Sequence, residues 1–434
     1  MKISLINHGC AKNLVDAELM MGILSSKGYD VTIEDENADI VIVNTCSFIH
    51  DAEKESVQSI LQLTELGKKV IVTGCLSQKY SKELKTAIPE LAGMIGTSDL
   101  NEIVTVIDKI AKGEGYTSII RENPKYIYPE NVERQQITVG ASSYIKIGEG
   151  CNYNCGYCII PKLRGKYTSR SIENIYKEAK QLSEKGVSEI ILIAQDTTSY
   201  GIDLYGKPML DKLLTELNKI DEISWIRIMY AYPTNMTDEL LDTIAKLEKV
   251  VKYIDIPLQH SNPRVLKSMK RPVLDYRALI QKIRDKIPNV SVRTSLIVGY
   301  PGETEEEFED LCRFVKDVKF DRMGAFEYSR EKNTYSYDLK PQISSKTKKQ
   351  RLDKIMKIQQ QISYEKNQKY INTTLKCIVE GYTNDGVVIL RSEHDAPEID
   401  GLVYAKSNRQ VIPGDIELVE INHADEYDLF GNII

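Results

Sequence analysis

The sequence predicts an α/β protein in three parts: a small N-terminal parallel α/β sheet domain, a central incomplete (β/α)6 barrel and a small C-terminal β-barrel. Three observations predict it. Strand-length apolar runs alternate with helix-period segments through the first hundred residues, and the alternation restarts near Tyr144 and runs for six strands. The last part carries only short β-branched runs between Gly, Asn and Asp turns. At 434 residues the chain has material for two or three domains, each with a core of its own.

In the first part, residues 1–118, Lys2 to Asn7, Ile40 to Val43 and Val70 to Thr73 read as strands, with helices over Leu14 to Ser25 and Glu53 to Leu66. Residues 119–140 are polar and irregular and read as a linker. The central part, 141–370, shows strands at Tyr144 to Ile147, Glu189 to Ile193, Trp225 to Tyr230, Tyr253 to Ile256, Val292 to Val298 and Arg322 to Tyr328. Six strands with intervening helices make a barrel two units short of eight. It ends in a basic connecting helix, Ser344 to Tyr370, with Leu352, Ile355, Met356 and Ile362 at helical spacing and eight Lys or Arg against two acidic residues. In the third part, 371–434, Leu375 to Val379, Gly386 to Leu390 and Ile416 to Glu420 are short strands.

Composition excludes several classes. The chain holds eight Cys, shows no apolar run approaching the ~18 residues of a membrane span and has no signal-peptide core, so the expected setting is reducing cytoplasm without a membrane. A net charge of -6 gives no overall nucleic-acid footprint, and five His are too few for a His-built metal site.

The thiols carry the chemistry. Cys151, Cys155 and Cys158 lie within eight residues at C-x3-C-x2-C spacing. Three ligands do not close a tetrahedral zinc site, whereas on a 4Fe-4S cube they leave one iron open. The competing readings are a thioredoxin-like C-x-x-C with a third Cys nearby, or half a zinc site. Cys10, Cys46 and Cys75 each follow a strand within a few residues, so parallel strands would bring all three to the carboxyl edge of one sheet, where open α/β folds bind ligands. Gly9 and Gly74 beside them would let the backbone approach a bulky inorganic group. The alternative is three ordinary buried cysteines. Cys312 and Cys377 share apolar faces of a helix and a strand and read as core fillers.

The C-x3-C-x2-C run resembles the signature of the radical S-adenosylmethionine enzymes, and the whole chain resembles the radical methylthiotransferases. The stretches that carry this are Gly9-Cys10-Ala11-Lys12-Asn13-Leu14-Val15-Asp16, Cys158-Ile159-Ile160-Pro161, Ala194-Gln195-Asp196-Thr197, Asp255-Ile256-Pro257-Leu258-Gln259-His260 and Val298-Gly299-Tyr300-Pro301-Gly302-Glu303. The first looks like the branch that modifies an aspartate of ribosomal protein S-twelve, with Ala11 where that branch usually has Pro. The tRNA-modifying branch typically carries Gln-Met-Asn after its first Cys.

The resemblance implies a radical-SAM barrel, a TRAM-like C-terminal domain, S-adenosylmethionine as cofactor and two 4Fe-4S clusters, one on Cys151, Cys155 and Cys158 and one on Cys10, Cys46 and Cys75. It implies sulfur and methyl insertion at the β-carbon of the aspartate, with electrons from a flavodoxin- or ferredoxin-type donor. Expected cofactor contacts are Tyr157 between two ligands, Gln195 and Asp196 at a strand end, and the turn of Gly299, Pro301 and Gly302, which also reads as an ordinary turn into a helix. Arg164 and Arg170 suit carboxylates of cofactor or substrate, or the surface. No catalytic acid or base beyond the cluster ligands is assigned.

Residues 371–434 hold 12 Asp or Glu and four Lys or Arg, a net -8. Such a tail should repel tRNA and attract a basic ribosomal protein, unless it is merely a solvated acidic surface. The basic helix is the contrary signal, able to touch RNA or to face water. A tRNA methylthiotransferase is therefore the alternative of the same chemistry, and a non-catalytic iron-sulfur electron carrier the alternative of another class.

Overall fold

The computed structural model describes every residue except Asp35, Phe48, Ile49, Glu130, Asn131, Thr138 and Val139, and leaves aside the side chains of His50 and Asp51. The chain forms two compact units. The first is Met1–Val139 with Lys146–Tyr153 and Ile159–Arg170. Its centre, among the described residues, is a six-stranded parallel sheet in the order Asp30–Thr32, Lys2–Asn7, Ile40–Thr45, Lys69–Gly74, Gly93–Ile95 and Thr117–Ile119. The three longer strands are those the sequence predicts. The other three have three residues each, too short for an apolar period to register.

Both faces of this sheet are covered. Ile40 and Ile42 pack with Met20 and Leu24 of the helix Ala11–Ser26, while Val41 and Val43 pack with Ile60 and Leu63 of the helix His50–Glu65. Burial on both sides is why the strand is apolar at successive positions, each such side chain contributing about 1.5–3 kcal/mol relative to exposure.

Of the expected linker 119–140, Glu130, Asn131, Thr138 and Val139 lie outside the described residues. Apart from Ile119, which ends the strand Thr117–Ile119, the rest is irregular and docked, not loose. Tyr126, Tyr128, Val132 and Ile137 pack on the sheet's core, and Glu18 pairs with Arg134 at 3.0 Å and accepts from Ile137 N at 2.9 Å.

The second unit contains Gly140–Ile145, Asn154–Cys158 and Ser171–Ile434. The six expected strands are present as two three-stranded sheets, Ser142–Lys146, Glu189–Ile193 and Trp225–Ile228, then Tyr253–Asp255, Ser291–Val298 and Arg322–Glu327. A parallel bridge from Ile226 to Val250 and a bond from Ala231 N to Asp255 O (2.8 Å) connect them. The tail is a closed five-stranded barrel ordered Thr374–Tyr382, Val388–Ser392, Val403–Lys406, Leu429–Ile433 and Ile416–Ala424. Cys377 is buried in its core and Cys312 on the helix Glu305–Val318, both as fillers.

The tail docks on the N-terminal ends of the central strands through buried charge. Glu189, the first residue of its strand, pairs with Arg227 (2.8 Å) and with Arg391 of the tail, and Ser142 Oγ donates to it at 2.7 Å. Beside it Arg322 pairs with Asp395 at 2.6 Å, Arg293 with Asp400 at 3.4 Å, and Tyr253 donates to Asp400 at 2.6 Å. Although burial opposes ionisation, Arg391 and Arg227 hold the Glu189 carboxyl down at about 2. Glu189→Gln strands two buried guanidiniums, so it should lower stability by about 3–5 kcal/mol in denaturant melts. Because the folded pKa is depressed, the Glu189 contribution is complete above about pH 4.3 and lost as pH falls through about 2. The acid limb of stability should be shallower in the variant across that window.

The basic helix forms as expected, Ser345–Asn367 with a short turn to Tyr370. Half of its cations are engaged inside the unit, which removes much of the RNA signal. Arg351 holds Glu303 (2.9 Å) and Glu305 (3.1 Å), Lys354 pairs with Glu309, Lys366 with Asp321 at 2.5 Å, and Lys348 Nζ donates to Tyr328 O at 2.6 Å. With Asp395, Asp400 and Arg391 likewise engaged, the tail keeps ten acidic and three basic residues, a net -7.

Candidate iron-sulfur sites

In the first unit, Lys2–Asn7, Ile40–Thr45 and Lys69–Gly74 are adjacent and parallel, so Cys10, Cys46 and Cys75 leave the same sheet edge. Cys10 is exposed, Cys46 half-buried and Cys75 buried, and none is in a disulfide. A mesh of polar bonds holds the three loops in register. Asn13 Nδ2 donates to Thr45 O at 2.8 Å, Thr45 Oγ1 donates to Thr73 O at 2.5 Å, and Leu76 N donates to Thr45 Oγ1 at 3.3 Å. Cys46 N donates to Ser56 Oγ at 3.3 Å.

The two glycines serve this packing. A Cβ on Gly9 would fall 2.2 Å from the Asn13 side chain, and one on Gly74, whose φ is +93°, would fall 2.4 Å from Thr45 O. The space their missing Cβ atoms leave is taken by Asn13 and Thr45.

Arg164 is corrected from a ligand-carboxylate partner to a protein-carboxylate partner. It is buried, with Nη1 on Asp16 (2.9 Å) and Glu149 (3.0 Å) and Nη2 on Asn13 Oδ1 (2.5 Å) and Cys75 Sγ (3.4 Å). Lys146 completes the cluster against Asp16 and Glu149. Burial pushes the Cys75 thiol up, and the Arg164 guanidinium pulls it down. Arg170 is also buried, donating to Lys146 O at 2.8 Å and stacked 3.4 Å from the Tyr128 ring centroid. Asp16, Lys146, Glu149 and Asn13 escape a sequence reading. Lys146 inside the apolar run Tyr144 to Ile147 was the one visible sign of a buried charge.

The second cysteine set lies on an irregular loop. Cys151 N donates to Gly165 O at 3.0 Å within the first unit. In the second unit Cys158 N donates to Cys155 O at 3.0 Å, and Gly156 is pinned from both sides, its N–H on Met269 O and its carbonyl on Ser336 N, each at 2.7 Å. All three thiols are half-buried and none is in a disulfide. Tyr157 packs with Val265, Met269, Tyr300 and Tyr328, and burial raises its phenol well above the usual range. Arg271, which no motif pointed to, reaches Cys155 Sγ at 4.0 Å while Nη2 holds Pro257 O at 2.5 Å. Among the described residues no group of three or more His, Cys, Asp or Glu is arranged around a single metal ion. Thiols outside any disulfide, with an arginine beside Cys75 in one set and beside Cys155 in the other, are a donor chemistry that suits an iron-sulfur cube.

Several of the expected cofactor contacts also bond within the protein. Asp196 is buried and caps its own turn, accepting from Thr198 N (2.9 Å), Ser199 N (3.2 Å) and Thr198 Oγ1 (2.6 Å). Gly299 N and Tyr300 N donate to Glu303 Oε2 at 2.7 and 3.1 Å, and Gly302 N to Pro341 O at 2.8 Å. Lys348 covers Gly299, where a Cβ would meet its Cγ at 2.4 Å. Pro301 sits in that turn, fully buried, and Gln195 lies half-buried at the end of its strand. Burial pushes the Glu303 carboxyl up to about 7 against the pull of Arg351.

Residues 145–315 match the Radical SAM superfamily, residues 2–96 the Uncharacterized protein family UPF0004, and residues 371–434 the TRAM domain. The ribosomal protein uS12 methylthiotransferase RimO of Caldanaerobacter subterraneus subsp. tengcongensis is 51% identical, over 99% of this chain and 99% of its own. The proteins of the same name from Thermoanaerobacter sp. and Clostridioides difficile are each 47% identical, over 99% and 100% of this chain and 99% of their own. The chain belongs to this uS12 methylthiotransferase family.

Membership makes it an enzyme, a transferase of the radical SAM superfamily, whose members work with a 4Fe-4S cluster and S-adenosylmethionine. Among solved structures, the radical S-adenosylmethionine methyltransferase TsrM from Kitasatospora setae, with cobalamin and a 4Fe-4S cluster bound, superposes with a TM-score of 0.60 at 14% identity. That alignment covers 77% of each chain and speaks for the fold alone. The methylthiotransferase family resemblance, by contrast, spans both cysteine sets and the tail barrel.

Proposed function

We propose that this methylthiotransferase inserts sulfur and a methyl group at the β-carbon of an aspartate of ribosomal protein uS12. The observation that carries the reading is full-length identity of 45–51% to the family's uS12 methylthiotransferases, with both cysteine trios present. The acidic tail barrel, net -7 outside its buried pairs, supports a basic protein partner over tRNA.

In this reading Cys151, Cys155 and Cys158 hold three corners of one cube and Cys10, Cys46 and Cys75 three corners of a second. The first cube and S-adenosylmethionine together supply reductive cleavage and hydrogen removal, chemistry that side chains cannot perform. The chain's residues hold the parts in place. Arg271, anchored on Pro257 O, stands beside Cys155 Sγ, and Tyr157 and Gln195 meet the cofactor. Asp196 fixes the loop carrying Gln195, while Gly299, Pro301 and Gly302 form, with Glu303, a rigid turn at the end of Ser291–Val298. The functional division runs 1–118 for the second cluster, 119–140 as its docked linker, 141–370 for the radical chemistry and 371–434 for substrate. A flavodoxin- or ferredoxin-type donor and a cytoplasmic, membrane-free setting complete the reading.

Deletion of the gene should leave uS12 lighter by one methylthio group in place of a hydrogen, with tRNA hydrolysates unchanged. Mass spectrometry of uS12 peptides and tRNA nucleosides from the same cells reads both. A lost tRNA modification beside intact uS12 would reverse the assignment.

A further inference from the structure

The Arg164 side chain does two separable things. Its Nη1 serves Asp16 and Glu149, which Lys146 also serves. Two cations against two carboxylates leave this buried group neutral. Its Nη2 turns the other way, to Asn13 Oδ1 at 2.5 Å and Cys75 Sγ at 3.4 Å. Asn13 in turn stands 3.8 Å from Cys10 Sγ and donates to Thr45 O, one residue before Cys46. One guanidinium therefore ties a charge-compensated core to all three cysteine loops. A lysine could balance the carboxylates, as Lys146 does, but its point charge could not span them and also reach sulfur and Asn13.

We propose that Arg164 is a positioning residue of the N-terminal cluster, fixing the Cys75 and Cys10 loops and donating to the Cys75 thiolate so as to set the cluster's reduction potential. This rests on the reading of Cys10, Cys46 and Cys75 as cluster ligands. An N–H directed at a ligand sulfur and a nearby positive charge both favour the electron-richer state, and cluster potentials respond to these two influences. Loss of Arg164 should therefore make the cluster harder to reduce.

The test uses the full-length chain carrying Cys151→Ala, Cys155→Ala and Cys158→Ala, so that only the N-terminal cluster gives a signal. In that background Arg164→Met is combined with Glu149→Gln, which keeps the buried group neutral, and Arg164→Lys is made alone as a variant that retains charge. Iron content, melting temperature and a mediator-dye titration followed by electron paramagnetic resonance are measured on each. The Met/Gln form is expected to keep its iron and to show at least about a tenfold lower reduced-to-oxidised ratio at the parent's midpoint, ~59 mV for one electron. The Lys form is expected to shift the same way by less, and it alone decides if the Met/Gln form does not fold. An intact cluster of unchanged potential in the folded variants overturns this inference alone. If the parent binds no iron at all, the ligand reading fails and this inference with it.

Discussion

Replacing Cys151, Cys155 and Cys158 together by Ala is expected to bring deoxyadenosine release from S-adenosylmethionine to background while the chain stays folded. The three side chains are half-buried on an irregular loop, and the loop's bonds run through backbone atoms that Ala keeps, such as Cys151 N to Gly165 O and Gly156 N to Met269 O. Truncation there should cost no more than about 1 kcal/mol. The chemical cost is of a different order. Reductive cleavage needs an electron from a metal cluster, which no remaining side chain can replace. The low end of enzymatic acceleration, about 10⁶-fold, sets the smallest loss to expect. Cys312→Ala is the matched control, since that thiol lies buried among Phe308, Leu311 and Val315 and should affect stability only. Deoxyadenosine release by the triple variant under dithionite, at more than a trace of the parent's rate, would remove the loop from the chemistry.

That a reading of residues could find both cysteine sets has a physical cause. The three N-terminal thiols follow long apolar strands, Lys2–Asn7, Ile40–Thr45 and Lys69–Gly74, and such runs are the strongest periodic signal a sequence carries. The central strands were equally legible, and Glu189–Ile193 ends where the apolar run ends. What escaped was whatever exists only once the chain has folded. Asp16 and Lys146 are 130 positions apart, and nothing local to either shows that they meet. The edge strands Asp30–Thr32 and Thr117–Ile119 are too short for a period, and Val403–Lys406 is held by neighbours distant in sequence. At Asp196 the signal is local: Asp-Thr-Thr-Ser is a self-capping turn sequence, which engages the carboxylate with Thr198 and Ser199.

The second large effect separates the two cysteine sets. With Cys10, Cys46 and Cys75 all replaced by Ala, iron should fall from about eight to about four per chain, since each cube holds four. Deoxyadenosine should still be released on dithionite reduction, because the C-x3-C-x2-C loop is untouched, yet no methylthio group should reach uS12. This dissociation is the informative outcome, as a general folding defect would remove both activities together. Folding is expected to survive. Cys10 is exposed and Cys46 half-buried, and the Asn13–Thr45 and Thr45–Thr73 bonds that register the loops do not pass through sulfur. Only Cys75 is packed, against Ile159 and Leu163, where losing one sulfur should cost roughly 1 kcal/mol. Arg164 also keeps Asp16, Glu149 and Asn13 in the variant, so its charge stays compensated. Unchanged iron in the triple variant would show that the N-terminal thiols hold no cluster, and an unchanged yield of modified uS12 would place sulfur delivery elsewhere in the molecule.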